Sequence, residues 1–203
     1  MKIYYYDSDV VVCEKEYGIS SQKSDRENMV DALSEHFNTE VYPVHRLDTT
    51  TTGVMVYALN QKSASLLSSE IANRGFEKTY LAVAHGKMED HGEMVDFLYH
   101  DRIKNKSFAS KAKRPGAKEA RLTFELISYD EENDLSLVKI ALQTGRTHQI
   151  RVQLASRGHM LYGDGKYGAK DNDKIRLHSC EISFTHPKTK ERLTFNSTPE
   201  WAK

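Results

Sequence analysis

The sequence is short of cysteine, has no long apolar run and carries no overall excess of charge of either sign. Its only cysteines, Cys13 and Cys180, lie far apart and outside any CxxC pair, so their spacing indicates neither a zinc site nor a redox pair. No window approaches the roughly 18 apolar residues that a membrane span requires. We therefore expect a cytoplasmic protein without membrane attachment, with both thiols reduced and at least half-buried.

The charge balance argues against a polyanionic partner on average but not locally. Lysine and arginine number 29, as do aspartate and glutamate, which gives a formal net charge of +0. Residues 102–121 nevertheless contain eight basic residues and one acidic residue, Glu119. The Pro115-Gly116 pair marks 104–118 as the most exposed insertion of the chain. Its charge fits phosphate binding and fits a solvated surface loop equally well.

The composition is that of a folded, globular chain. Hydrophobic residues make up 38% and charged residues 29% of the sequence, which suffices for one substantial core. We expect a single domain over 1–203. Short strand signals, separated by polar turns, stand at residues 10–12, 54–57, 79–84, 121–128, 135–142, 177–184 and 192–195. With a hairpin turn at 130–133, the pattern predicts an α+β fold with a mixed, mostly antiparallel β-sheet flanked by helices.

Three helices are predicted between these strands. Ser24 and Glu27 form a capping-box pattern ahead of apolar residues at helical spacing. A second helix is expected over 61–74, followed by Gly75, which can adopt the left-handed conformation that ends a helix. The third is expected over 147–158.

Several familiar catalytic motifs are missing from the chain. The nine histidines show no HExxH spacing, and no GxSxG elbow is present. Residues 163–168 spell GxGxxG, but they follow a predicted helix, whereas a dinucleotide-binding loop follows a strand. We therefore expect neither a metal nor any other cofactor.

A polar turn centred on Asp48 is the first candidate for chemistry. His45-Arg46-Leu47-Asp48 precedes a run of four threonines and Gly53, after which an apolar strand begins. A carboxylate in such a turn can point into a cleft. It can equally well cap the turn beside its neighbour Arg46, and the motif alone does not choose between these interpretations.

Two further stretches contain residues that could share a site with such a carboxylate. On the third predicted helix, Ile150 and Leu154 face the core, so Arg151 lies at the edge of the buried face, where its guanidinium could meet a carboxylate. On the strand at 79–84, Tyr80 shares a face with alanines, which leaves room beside its ring. Tyr80 can therefore stack on an unpaired base, or it can be an ordinary core aromatic.

Taken together, the motifs resemble those of the RluA-type RNA pseudouridine synthases. The resemblance runs from about residue 10 to residue 187 and preserves the order of the family's motifs. The matching stretches are His45-Arg46-Leu47-Asp48, Lys78-Thr79-Tyr80, Gly145-Arg146-Thr147-His148-Gln149-Ile150-Arg151, the run from Gly158 to Gly168, and Leu177-His178-Ser179.

The resemblance implies an enzyme and roles for its residues. Asp48 would be the essential carboxylate, Tyr80 would pack on the target base and help to remove its C5 proton, and Arg151 would pair with Asp48. Arg46 would enter the space left by a flipped uridine. The implied fold is the pseudouridine synthase catalytic fold, the partner is structured ribosomal or transfer RNA, and no cofactor is needed. The expected RNA contacts are Arg46, Arg146, His148, Lys104, Lys111, Lys113 and Arg114.

The sequence departs from the family pattern at three positions. The usual Lys-Pro pair is Lys15-Glu16, Gln153 stands where a histidine is common, and Met160 replaces a frequent proline. About 40 residues precede His45, which leads us to expect a stand-alone catalytic domain without an S4 domain. We expect a monomer, because no exposed apolar helix or heptad pattern indicates a partner. Two alternatives remain open: an RNA-binding protein that keeps the fold without the reaction, and a hydrolase acting on nucleosides or glycosides.

Overall fold

The computed structural model describes all residues, 1–203, and contains eleven β-strands and three α-helices. The strands are β1 (Ile3–Tyr6), β2 (Val10–Lys15), β3 (Tyr42–Pro43), β4 (Thr52–Ala58), β5 (Glu77–His85), β6 (His91–Asp101), β7 (Lys106–Ser110), β8 (Lys118–Asp130), β9 (Leu135–Leu142), β10 (Leu177–Thr185) and β11 (Arg192–Asn196). The helices are α1 (Met29–Phe37), α2 (Gln61–Ala72) and α3 (Gln149–Ala155). The expected α+β class with mixed, mostly antiparallel strands is confirmed.

The chain divides into two compact units, and the single domain expected over 1–203 stays a prediction. The first unit comprises residues 1–78 and 178–201 with Lys203, and the second comprises 79–177 with Ala202. None of the three helices is both long enough and apolar enough to cross a bilayer. Both cysteines are free, Cys13 buried and Cys180 half-buried, as expected.

The first unit is built on three mostly buried strands, β2, β4 and β10, with the more exposed β1, β3 and β11 beside them. Its strands pair in the order β1, β2, β4, β10, β11, all antiparallel except β4 with β10. Every side chain from Val54 to Ala58 on β4 is buried, because apolar neighbours cover both faces of this strand. The core around it contains Val10, Val12, Leu67, Phe76, Ile182 and Phe184.

The two helices of this unit begin and end differently from the expectation. Asn28, and not the Ser24–Glu27 pair, caps α1 by accepting a hydrogen bond from the backbone N–H of Asp31 at 2.9 Å. At the end of α2, Arg74 adopts the left-handed conformation, with φ of 61°, in place of Gly75. The Gly75 N–H instead donates to the Glu70 carbonyl, so the turn is completed one residue earlier.

The second unit is an antiparallel sheet with one helix. Its strands pair in the order β5, β9, β8, β6, β7. Residues 104–118, expected as one exposed insertion, are mostly exposed and contain one strand: 106–110 form β7, and the turn before it and the loop 111–117 complete the segment. β6 was missed as well, since Asp96 occupies one of its inward positions between Met94 and Leu98 and hides the apolar alternation.

Candidate active site

The Asp48 turn connects β3 to β4 and is closed by its own backbone. The N–H of Thr51 donates to the Asp48 carbonyl at 2.9 Å, which is the hydrogen bond of a β-turn. Asp48 is half-buried and Arg46 is exposed, while Leu47 between them is buried. The buried Leu47 side chain anchors the turn in the core, and the side chains of Arg46 and Asp48 on either side of it are less buried.

Ser21 anchors the residue that precedes Asp48. Its hydroxyl donates to the Leu47 carbonyl at 2.8 Å and accepts from the Leu47 N–H at 3.2 Å. The hydroxyl of the buried Tyr57 on β4 in turn donates to the Ser21 carbonyl at 2.9 Å. The backbone entering the turn is therefore tied to the core of the first unit.

Lys15 anchors the residue that follows Asp48. Its ammonium group donates to the carbonyls of Glu16, Ile19 and Thr49 at 2.8, 2.9 and 3.2 Å, which uses all three donors of a lysine. The side chain is 0% exposed. Burial lowers the pKa of Lys15 to about 8, and the nearby Asp48 charge opposes that shift. The sequence analysis assigned Lys15 no role, although a lysine ending the run VVVCEK was a signal of a buried, bonded cation.

The turn ends at a close approach between Gly53 and Ser179. An added Cβ at Gly53 would lie 2.3 Å from the Ser179 carbonyl oxygen, and φ of Gly53 is +119°. Beside it, the Thr52 hydroxyl lies 2.7 Å from Nδ1 of His178, whose Nε2 lies 3.0 Å from the Ser197 hydroxyl. Only glycine satisfies both the space and the conformation at position 53.

His45 is a buried hydrogen-bond acceptor within the first unit. Its Nε2 accepts from the Val56 N–H at 3.1 Å, so the neutral ring carries its proton on Nδ1, which is buried without a hydrogen-bond partner. Burial, assisted by the positive charge of Lys78, lowers the pKa of His45 to about 3. The imidazole is therefore a neutral part of the structure at physiological pH.

In the second unit, Tyr80 lies on β5 where the expectation placed it. Tyr80, Ala82 and Ala84 are all buried, and Tyr80 is paired with Ile140 of β9. Arg151 on α3 is also buried, and its Nε and Nη2 atoms bind the two carboxylate oxygens of Asp164 at 2.7 Å each. Tyr80 and Arg151 thus belong to rigid elements of the same unit.

The two other residues of the basic motif lie at the start of α3. Arg146 is exposed, and its Nε donates to the Glu119 carbonyl at 2.8 Å. His148 is buried with a left-handed backbone, φ of 55°, and its Nδ1 lies 3.0 Å from the Tyr167 hydroxyl. Arg146 presents a cation at the surface, whereas His148 is held inside the unit.

The basic segment, defined as residues 102–118, comprises the β6–β7 turn, strand β7 and the loop before β8. Lys104 lies at the tip beside Ile103, whose side chain is 99% exposed. Lys113 and Arg114 are exposed in the loop. The Lys111 ammonium instead lies 3.0 Å from the buried carboxylate of Asp96. Lys104, Lys113 and Arg114 are therefore presented to solvent, whereas Lys111 pairs with Asp96.

The exposed face of this hairpin also carries an aromatic pair that the sequence analysis missed. Tyr99 on β6 is directly opposite Phe108 on β7, so the two rings share a face of the hairpin. They are 49% and 42% exposed. Their signal in the sequence was one aromatic residue three positions before the charged turn 102–105 and one three positions after it.

Comparison with known proteins assigns most of the chain to one family. Residues 9–156 match the family model described as RNA pseudouridylate synthase.

The chain belongs to the RNA pseudouridylate synthase family.

Family members isomerise uridine to pseudouridine in RNA, so the chain is an isomerase. Among its relatives, the tRNA pseudouridine synthase C of Haemophilus ducreyi is 30% identical, with 97% of this chain and 90% of the relative covered. The uncharacterized RNA pseudouridine synthase YjbO of Bacillus subtilis is 33% identical, with 97% and 72% covered.

Solved structures of human proteins share the fold of the synthase. Human RNA pseudouridylate synthase domain containing 4 superposes with a TM-score of 0.81 at 22% identity, covering 98% of this chain and 89% of that chain. Human RNA pseudouridylate synthase domain containing 1 gives 0.83 at 22% identity, covering 98% and 83%.

The structure distributes the ten expected site residues of the synthase unevenly over its two units. Arg46 and Asp48 belong to the first unit. The second unit contains Tyr80, Lys104, Lys111, Lys113, Arg114, Arg146, His148 and Arg151. Their assigned roles stay predictions, because the geometry of each unit fixes where the side chains are and not what they do.

Burial of His45 predicts acid sensitivity of the first unit. The folded state holds His45 neutral down to about pH 3, whereas the unfolded chain takes up a proton below its ordinary pKa of 6.5. The stabilisation is thus present above pH 6.5 and is lost as the pH falls, by up to about 1.4 kcal/mol per pH unit. Urea unfolding between about pH 7 and pH 4.5 measures it.

The matched variant is His45→Gln, which keeps an acceptor for the Val56 N–H but does not titrate. Its free energy of unfolding should depend less steeply on pH than that of the wild type. His178, whose pKa is also lowered by burial, contributes equally to both proteins. Identical slopes in the two proteins would contradict a neutral, buried His45.

Proposed function

We propose that this synthase isomerises one or a few specific uridines in structured RNA through Asp48 and without a cofactor. The observation that carries the proposal is the anchoring of the Asp48 turn. Backbone groups on both sides of Asp48 are held by Ser21 and by the buried Lys15, within a chain that matches the family. Such anchoring suits a carboxylate that must keep one position throughout a reaction.

The proposed reaction breaks one bond and makes another on the same nucleotide. The bond from C1′ of the ribose to N1 of uracil breaks, and the uracil rotates. C5 then joins C1′, the C5 proton leaves, and N1 takes up a proton from solvent, so the product has the mass of the substrate. The electron pair of the broken bond returns as the new bond, so no oxidant or reductant is needed. Asp48 acts at the ribose, either as nucleophile or as base.

Tyr80, Arg151 and Arg46 have supporting roles in this proposal. Tyr80 packs on the uracil and assists loss of its C5 proton, and Arg151 keeps the Asp48 carboxylate ionised, as the resemblance implies. A uridine within a helix must leave the stack before its ribose becomes accessible, and the exposed Arg46 fills the space that it vacates.

The substrate class proposed is transfer RNA or ribosomal RNA with an unpaired or loop uridine. RNA loops offer splayed bases, and the flanking helix is recognised by shape and phosphates. Arg146 and the exposed cations of the basic segment provide the phosphate contacts, while Tyr99 and Phe108 offer a surface on which an unpaired base can stack. Among relatives, the name tRNA pseudouridine synthase C favours a transfer RNA. We propose that a monomer suffices.

The basic segment gives a prediction on RNA affinity. Lys104→Glu combined with Lys113→Glu should weaken RNA binding and reduce the slope of log affinity against log salt by roughly 1.5, since two phosphate contacts are lost. The rate at saturating enzyme should stay nearly unchanged. Fluorescence anisotropy at several salt concentrations measures the RNA affinity and its salt slope, and a single-turnover assay measures the rate.

The control for this pair is Lys62→Glu with Lys188→Glu, which changes the charge equally in the first unit, where both side chains are exposed. If the control pair lowers the slope as much as the test pair, net charge alone governs affinity and the basic segment is not an RNA contact.

One experiment separates the proposed function from its two alternatives. The protein is incubated with total RNA from a strain lacking it, the RNA is digested, and the nucleosides are chromatographed. The proposed reaction yields pseudouridine, an isomer of unchanged mass. A hydrolase yields free uracil, and a non-catalytic RNA-binding protein yields neither product. Free uracil, or no product with any RNA from that strain, would refute the proposal.

A further inference from the structure

Residues 163–168 form a well-defined turn that has no role in the proposed reaction. Its sequence spells a dinucleotide fingerprint, yet it folds as a single 3₁₀ turn, Gly165–Tyr167, with Asp164 at the N-cap. The flanking Gly163 and Gly168 both have left-handed backbones. The turn lacks the long helix whose N-terminus would hold a pyrophosphate, so its contacts within this unit must be sought elsewhere.

Asp164 binds the Arg151 guanidinium in a bidentate contact. The Arg151 Nε lies 2.7 Å from one carboxylate oxygen and the Arg151 Nη2 lies 2.7 Å from the other. The side chains of Arg151 and Asp164 are 7% and 1% exposed. A bidentate pair fixes both the position and the plane of a guanidinium. It uses two of the five N–H donors, so Asp164 does not exhaust the binding capacity of Arg151.

Tyr167 supports the same guanidinium from a second direction. The Arg151 guanidinium carbon lies 5.3 Å from the centroid of the Tyr167 ring, within the range of a cation–π contact. The Tyr167 hydroxyl accepts from the Ser107 N–H at 2.9 Å and lies 3.0 Å from Nδ1 of His148. The ring is thereby fixed at its far end by β7 and by the residue preceding α3.

The turn itself is held rigidly. A Cβ at Gly163 would lie 2.4 Å from the Lys174 carbonyl oxygen, and the Gly163 N–H donates to the Asp171 carboxylate at 2.9 Å. The Asp164 carbonyl accepts from the N–H groups of Tyr167 and Ala169. Asp164 thus presents its carboxylate from a backbone that has little freedom to shift.

Building on the proposed function, we infer that Asp164 is a positioning residue that sets the orientation of Arg151 for the reaction. A free arginine samples many rotamers, whereas a guanidinium bound at two atoms and stacked against a ring is held in a single rotamer. The paired charges also let the guanidinium stay buried without a net local charge. Asp164 acts through Arg151 and does not itself need to touch the RNA.

A purely structural ion pair makes a different prediction. Loss of such a pair lowers stability, but the molecules that remain folded react at the normal rate. A positioning residue, in contrast, lowers the rate of the chemical step in folded, RNA-saturated protein and leaves RNA affinity nearly unchanged. Single-turnover rates at saturating enzyme, measured well below the melting temperature, distinguish the two.

The test uses Asp164→Asn in the full chain. We expect its single-turnover rate to fall roughly 10- to 100-fold with less than about a threefold change in RNA affinity. Glu70→Gln is the control, because the Glu70 carboxylate pairs with Arg192 at 3.1 Å and accepts from the Thr185 N–H at 2.8 Å in the first unit. This control should lose stability but keep its rate.

A double variant shows whether Asp164 acts through Arg151. In Arg151→Met the guanidinium is already gone, so adding Asp164→Asn should leave the rate unchanged within about twofold and should raise the melting temperature by removing an unpaired buried carboxylate. If Asp164→Asn slows both backgrounds by the same factor, or leaves the wild-type background unslowed, Asp164 does not position Arg151 for the reaction.

A readout independent of activity separates this inference from the proposed function. Hydrogen exchange of the Arg151 Nε–H, followed by NMR, should be slow in the wild type and faster by about tenfold or more in Asp164→Asn. Equal exchange in both proteins overturns the positioning role. If the wild type makes no pseudouridine while the exchange rates differ as expected, the proposed function fails and the grip of Asp164 on Arg151 stands.

Discussion

Replacing Asp48 by asparagine should abolish turnover while the protein stays folded. The substitution removes the ionisable group with almost no change in volume, so a reaction that needs a carboxylate at the ribose should slow by a factor on the order of 10⁴. The backbone of the turn is held by Ser21 and Lys15, and neither contact uses the Asp48 side chain. The rate is measured as release of tritium from RNA whose uridines are labelled at C5.

The matched control is Asp25→Asn, which makes the same chemical change at an exposed position of the same unit. It should react at the wild-type rate. Melting temperatures of the two variants should stay close to that of the wild type. An Asp48→Asn variant that is folded and still releases tritium at a comparable rate would show that the carboxylate is dispensable.

Gly53→Ala should strongly destabilise the first unit. The new Cβ would lie 2.3 to 2.8 Å from backbone atoms of Ser179, and the φ of +119° is unfavourable for any other residue. Because neither strand can retreat without breaking the pairing of β4 with β10, we expect a loss of roughly 3 to 5 kcal/mol in the free energy of unfolding. Urea denaturation measures it.

Two other glycines separate the causes of that loss. Gly18 has a φ of +89° with nothing near its absent Cβ, and Gly165 has neither a positive φ nor a close neighbour. Gly18→Ala should therefore cost about 1 to 2 kcal/mol from conformation alone, and Gly165→Ala much less than that. If Gly53→Ala is no worse than Gly18→Ala, the approach to Ser179 is not tight.

The strands that the sequence predicted best are those whose pattern is set locally. β9 was expected over 135–142 and is found at Leu135–Leu142, because this short, mostly apolar run contains the β-branched Val138 and Ile140 and follows the polar turn at 130–133. Tyr80, Ala82 and Ala84 are all buried on β5 for the same reason. Period and turn chemistry are properties of neighbours along the chain.

The features that the sequence did not reveal depend on distant partners. Asp96 is tolerated at an inward position of β6 because Arg157, Gln153 and Lys111 bind its carboxylate, and none of these is near it in sequence. In the same way, Lys15 can be buried because the chain brings Thr49 to its ammonium. A buried charge cannot be distinguished from an exposed one until its partners are known.

In the candidate site, too, local patterns were predictable from the sequence and long-range contacts were not. The motifs indicated Asp48, Tyr80 and Arg151 from sequence alone, because each stands in a distinctive local pattern. The roles of Lys15, Ser21 and Asp164 emerged only from contacts made across the fold. At the helix starts, a local rule was misapplied, since Asn28 stands closer to α1 than the Ser24–Glu27 pair and takes the capping hydrogen bond.

The central claim is that Asp48 converts uridines of cellular RNA to pseudouridine. Pseudouridines are mapped across all RNAs in a strain lacking the gene, in the same strain supplied with the wild-type protein, and in the same strain supplied with Asp48→Asn at equal abundance. The account predicts that one or a few sites disappear in the deletion, return with the wild type and stay absent with the variant. Sites that return with Asp48→Asn, or an unchanged map in the deletion, would contradict it.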